Sequence, residues 1–88
     1  MMYEIKPYTM ERARAVGLEV RPSSKRGKKL DVYSDGQYVD SVGATGYKDY
    51  PTYLATEGKE VAEERRRLYH LRHTKNTLGE LLALWLLW

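Results

Sequence analysis

His70 and His73 stand three positions apart in a segment of helical pattern, a spacing that sets both rings on one face. Such a pair is compatible with a metal ion, but a site needs further ligands. The chain has no Cys, which excludes thiolate, disulfide and cysteine-zinc chemistry. A third ligand would have to be an Asp or Glu that no motif singles out, so the histidines read as part of a basic surface, and no metal or cofactor is expected. Glu60, Glu63 and Glu64 can be imagined as paired carboxylates. That work needs two acids across a pocket in different environments, whereas three acids early in one helix are explained by the helix dipole. Gly43 and Gly46 read as turn glycines, because no phosphate-binding loop, HExxH or nucleophile elbow is present. Asp49 is an acid among aromatics, and helix capping is its simpler role. No residue is assigned to catalysis, and the chain is not expected to be an enzyme.

Binding chemistry is better represented. The chain carries 15 Lys plus Arg against 12 Asp plus Glu, a formal net charge of +3. The excess is modest, but its distribution is uneven. Residues 21 to 29 hold Arg21, Lys25, Arg26, Lys28 and Lys29 with no acid, and residues 65 to 75 hold Arg65, Arg66, Arg67, Arg72 and Lys75 with His70 and His73. Lys and Arg contact phosphates through charge, and Arg also through bidentate hydrogen bonds. The expected nucleic-acid contacts are Arg21, Lys25, Arg26, Lys28 and Lys29 in a flexible loop, and Arg66, His70 and Lys75 along a helix. Eight Tyr and two Trp with no Phe make an unusual aromatic set. These rings either build an amphipathic core or form a contact surface; on the second reading Tyr47, Tyr50 and Tyr53 stack on exposed bases.

The elements that must position these groups can be read from pattern. Thr9 is placed as the cap of a short helix from Met10 to Val16, ended by Gly17. Leu18, Val20 and Pro22 lead into an extended segment, followed by the basic loop at 21 to 29. Leu30 to Tyr33 and Tyr38 to Val42 read as strands joined by a turn at Asp35-Gly36. Asp49 and Pro51 start a short helix that closes near Gly58. A longer helix from about Lys59 to His73 presents the stripe Val61, Ala62, Arg65, Leu68, Tyr69 and Arg72; its arginine stems can cover apolar surface while the guanidinium groups reach outward. Glu63 and Arg67 are expected to pair at i,i+4. Thr77 and Glu80 match a capping box for a final helix.

That last segment, residues 77 to 88, is apolar almost all round. Leu81, Leu82, Leu84, Trp85 and Trp88 are either covered by the domain itself or form an assembly surface for a homo-oligomer or a viral or host protein partner. The run is too short to span a membrane, and no secretory signal is visible at the start. The expected setting is a virion or the interior of a host cell.

The strings Lys29-Leu30-Asp31-Val32-Tyr33, Asp35-Gly36 and GATGYKDYPTY (43 to 53), then ERRRLYHLRH (64 to 73) and the closing Leu87-Trp88, resemble a family of small uncharacterised proteins of large DNA viruses and phages. The resemblance covers residues 29 to 88 and implies a viral or phage origin. It implies no particular activity, so no site residue carries over from it. The family pattern has a polar, glycine-containing stretch with a tyrosine pair before the final Leu-Trp. Here Thr77 to Leu86 is far more apolar, which points to adaptation to a particular partner.

The expectation is one α+β domain over residues 1 to 88, a short antiparallel hairpin packed against three or four helices. The hairpin is expected to lie on the helix from 59 to 73, with Val32, Val39, Val61, Leu68, Tyr69 and part of the tail as core. Two functions remain: a non-catalytic nucleic-acid-binding protein, or a virion structural or protein-interaction module assembling through its C-terminal helix.

Overall fold

The computed structural model describes residues 3–73 and 77–88. The order is α1 (Pro7–Ala15), β1 (Glu19–Pro22), β2 (Lys28–Ser34), β3 (Gln37–Ala44), α2 (Tyr50–Glu57), α3 (Lys59–Arg72) and α4 (Leu78–Leu87). The three strands form one antiparallel sheet in the order β1-β2-β3, and with the helices they make one small α+β domain. Lys75 lies outside the described residues.

The Asp35-Gly36 turn joins β2 to β3 as expected. Both residues have positive φ, 51° and 79°, the left-handed backbone that a two-residue hairpin turn requires. The extended segment after Gly17 becomes a third strand, with Val20 opposite Val32 and Pro22 opposite Leu30. This corrects the basic loop. Arg21 belongs to β1, Lys28 and Lys29 belong to β2, and only residues 23–27 connect the strands. Ser23 N–H donates to the Lys29 carbonyl at 3.0 Å and Lys28 N–H to the Lys25 carbonyl at 3.2 Å, so the backbone of this connection is a hydrogen-bonded turn.

α1 starts earlier than expected. Pro7 supplies a backbone already set for the first helical turn, and Lys6 takes the cap position without a side-chain bond. Thr9 is inside the helix and fully buried, its hydroxyl donating to the Leu86 carbonyl at 2.8 Å. It satisfies a carbonyl in the last turn of α4, which has no partner within its own helix. The α2 cap is as expected: Asp49 accepts from Thr52 N–H, and the helix closes at Gly58. Thr77 caps α4 by accepting from Glu80 N–H at 3.1 Å.

The main departure concerns which helix covers the sheet. α4 packs on β3 and α1, while α3 packs chiefly on α2. The reason lies in the two surfaces. The α3 stripe is interrupted by Arg65 and Arg72, whereas α4 offers Leu82, Ala83, Leu84, Leu86 and Leu87, all buried. The sheet removes most apolar area from water by taking the more apolar partner. Leu30, Val32, Ala62, Leu86 and Leu87 form the inner core, joined by Val20, Val42, Leu82 and Trp88. Of the expected core, Val32 is buried and Val39 and Tyr69 pack against it, but Val61 is exposed and Leu68 stands outside the cluster. At Gly43 α4 approaches β3 closely. Its φ is +85°, and an added Cβ would stand 2.7 Å from Leu87 Cδ1. Among the described residues no helix is long and apolar enough to cross a membrane.

Candidate functional site

Along β2, Lys29 and Asp31 alternate with Leu30 and Val32, so the polar pair points away from the apolar pair. Both polar residues are nonetheless buried. Lys29 Nζ lies 3.0 Å from Asp49 Oδ2, with side-chain exposures of 5% and 0%. Tyr3 OH donates to the same oxygen at 2.5 Å, and the Thr52 hydroxyl and N–H donate to Oδ1 at 2.6 and 3.0 Å. Burial pushes the Asp49 carboxyl up. The bonds from Thr52 and Tyr3 and the charge of Lys29 outweigh this and hold it below the usual carboxylate range. Burial and the neighbouring carboxylate drive the Tyr3 hydroxyl upward, so it remains the donor. Asp49 thus caps α2 and neutralises Lys29 at once, joining sheet, N-terminal segment and helix.

Lys29 forms part of the wall of a cleft of about 440 Å³. β3 supplies Gly43 and Ala44, and the segment after it supplies Tyr47 and Lys48. α2 adds Tyr53, α3 adds Arg65, Tyr69 and Arg72, and Leu87, Trp88 and His73 complete the lining. Three rings form a column: Trp88 and Tyr69 stack at 4.2 Å and 9°, and Tyr69 and His73 at 3.9 Å and 18°. Tyr53 leans on Trp88 at 6.2 Å and 48°. Burial raises the Tyr69 hydroxyl, keeping it protonated. Lys48 Nζ and the Arg65 guanidinium each lie 5.6 Å from the Tyr53 ring centre. Lys48 also pairs with Glu57 at 2.5 Å near the surface. Neither Arg65 nor Arg72 enters a salt bridge among the described residues, and no acidic side chain is part of the lining. Tyr47 is 76% exposed. The arrangement can hold a flat apolar group against its rings and an anion against its cations.

The expected contact residues divide on this geometry. Tyr47 and Tyr53 come together in the cleft. Tyr50 does not: it is buried, its hydroxyl donating to Glu63 at 2.6 Å and its ring packed on Tyr8 at 5.2 Å. Lys29 lines the cleft but is buried and paired with Asp49. Arg66 and His70 lie in a separate, open depression shared with Glu63 and Arg67, with Arg66 placed 4.7 Å over the Tyr50 ring. Arg67 pairs with Glu64 at 2.6 Å rather than with Glu63, whose carboxylate is engaged by Tyr50. Arg21, Arg26 and Lys28 are exposed, and Arg21 pairs with Glu19 at 3.1 Å. None of the β1–β2 cations apart from Lys29 lines the cleft. In the tail, Leu82, Leu84 and Trp88 are core. Leu78 at 54%, Leu81 at 44% and Trp85 at 38% keep much exposure, and Trp85 is covered on one side by the Arg12 guanidinium, 3.6 Å from its ring centre.

The cleft residues left off the expected contacts are Lys48, Arg65, Arg72 and His73, which apart from Lys48 were read as part of a basic cluster, and Tyr69, which was read as core. Their signal was present: two arginines in an otherwise core-directed helical stripe mark a face at which the core ends.

A second polar cluster lies apart from the cleft. Ser23 and Ser41 hydroxyls each donate to Asp31 Oδ1 at 2.6 Å. Because Ser41 gives its proton to Asp31, Tyr38 OH must be the donor at 2.7 Å to Ser41, and Lys25 Nζ donates to Tyr38 at 2.8 Å. The Ser23 and Ser41 bonds hold the Asp31 carboxyl low. The network fastens Lys25 and the β1–β2 connection to the sheet. Among the described residues no group of three His, Asp or Glu side chains is placed to hold a metal. The chain matches no protein-family model, no curated protein and no solved structure.

Proposed function

We propose that the chain is a small viral or phage accessory protein that binds nucleic acid without catalysis. The observation that carries this reading is the cleft, where Tyr47, Tyr53 and the Trp88–Tyr69–His73 column meet Arg65 and Arg72, which enter no salt bridge among the described residues, and Lys48, which is paired with Glu57. Aromatic faces and cations in one concavity suit a polymer of planar bases and phosphates. Arg26 in the β1–β2 connection and Lys28 at the start of β2, both exposed, supply further charge. The resemblance to proteins of large DNA viruses and phages supports the setting.

The test is a salt titration of binding by fluorescence anisotropy, with a labelled single strand and a labelled duplex. Affinity is expected to fall linearly with salt on logarithmic axes, with a slope of roughly −0.7 per phosphate contact on a single strand. Arg72→Gln is expected to reduce the slope by about one contact. Absence of binding to either nucleic acid at low salt overturns the reading. It would move the weight to assembly through Leu78, Leu81 and Trp85, the α4 side chains that remain exposed.

A further inference from the structure

We infer that the cleft takes an unpaired base together with its phosphate, so that single strands or unpaired ends, and not duplex, are its ligand. This rests on the nucleic-acid reading and narrows it. In a duplex both faces of each base are covered by neighbouring pairs, and only edges and phosphates are offered. A site that read phosphates alone would need cations but no rings. This cleft has both: the rings of Tyr47, Tyr53, Tyr69, His73 and Trp88 line it beside its cations. Tyr47 stands 76% exposed at its margin, a large apolar face left open to water. The Trp88–Tyr69–His73 column shows that the wall already accommodates parallel aromatic packing at 3.9 to 4.2 Å.

Size and charge agree with one nucleotide unit. The volume of about 440 Å³ falls within the range of sites that enclose a small ligand, roughly 300–1,000 Å³, and is far too small for a double helix. Arg65 and Arg72 lie on α3 seven residues apart, two turns of one helix face, while Lys48 approaches from the segment before α2. Arg65 and Arg72 thus border the rings from α3, and Lys48, paired with Glu57 at 2.5 Å, is a partly neutralised cation. A base lodged among the rings would carry its phosphate toward one of the two arginines, and the continuing strand would leave past the other. A phosphotyrosine side chain also combines a ring with a phosphate, but it offers one ring and one anion. The several rings and the spread of cations fit a chain of repeating base and phosphate better.

Four labelled ligands at one salt concentration test this: an oligothymidylate, the same strand paired with oligoadenylate, an abasic strand of equal length, and a phosphotyrosine peptide. The oligothymidylate is expected to bind roughly tenfold or more tightly than the abasic strand, the scale of one base–aromatic stack. Tyr47→Ala, at a position 76% exposed, is expected to remove most of that difference. Arg72→Gln is expected to weaken both strands. If the abasic strand and the duplex bind as tightly as oligothymidylate, and Tyr47→Ala changes nothing, the base-pocket inference falls while nucleic-acid binding stands. If no nucleic acid binds, or the phosphotyrosine peptide alone does, both fall.

Discussion

Asp49 shows how much one side chain can hold in a domain without disulfides. It accepts from Thr52, Tyr3 and Lys29 while fully buried. Removing one partner of such a pair leaves a charge in the interior, at a cost of about 3–5 kcal/mol, a large share of the ~5–15 kcal/mol that keeps a domain folded. Lys29→Met is therefore expected to lower the urea midpoint strongly, and the double variant Lys29→Met/Asp49→Asn to recover part of the loss. Asp49 and Asp31 both have carboxyls held below their ordinary value. Their contribution is complete above the unfolded-state value and is lost as pH falls through the depressed folded value. Stability is expected to be flat above about pH 5 and to decline from about pH 4 downward. Asp49→Asn should make that acid limb shallower in urea denaturation across pH. An acid limb unchanged in the variant would remove Asp49 from this account.

Among the elements, α4 decides the architecture. Its carbonyl end is met by Thr9, its first turn is capped by Thr77, and its Leu87 lies against Gly43. Gly43 has no room for a side chain and a φ of +85° that other residues rarely adopt. Gly43→Ala is expected to destabilise by about 1–3 kcal/mol, through the clash with Leu87 together with the strained backbone. Gly46→Ala, with open space around it, is the control and should stay within about 0.5 kcal/mol. Equal melting temperatures for the two variants would contradict the close approach of α4 to β3. The same approach brings Leu87 and Trp88 into the cleft lining, so the helix that completes the core also shapes the candidate site.

For the molecule as a whole, the question raised by the tail is whether its apolar surface is core or an interface. Leu86 is fully buried, whereas Leu81 is 44% exposed. Leu86→Ala is expected to cost about 2–5 kcal/mol in a single cooperative transition, and Leu81→Ala about 0.5 kcal/mol or less. The comparison is made by thermal unfolding at two protein concentrations. A concentration-dependent midpoint, or a large effect at Leu81, would show that the tail is stabilised by association. The charge of the molecule is also unevenly used. Lys29 is neutralised internally, Arg21, Lys48 and Arg67 are paired near the surface, and Arg65 and Arg72 border the cleft.

Local rules alone carried the hairpin turn at Asp35-Gly36, the Asp49 cap with Pro51, the break at Gly58 and the Thr77 cap. Each of these depends on backbone geometry and on hydrogen bonds within a few residues, so the chain states them wherever it folds. The start of α1 was misjudged because Thr9 spends its hydroxyl on Leu86, a partner 77 positions away. No local pattern distinguishes a capping hydroxyl from one that reaches another helix. Charge clustering along the chain was legible, but not which charges face outward. Lys29 looked like its neighbours until Asp49 met it across the fold, and Arg65 and Arg66, adjacent in sequence, line different depressions. Which helix covers the sheet, which tyrosines are buried and which rings and cations share a cleft depend on contacts between distant segments, decided by burying the most apolar surface. Residue types and turn chemistry determined the elements of this protein; only their packing determined what those elements bring together.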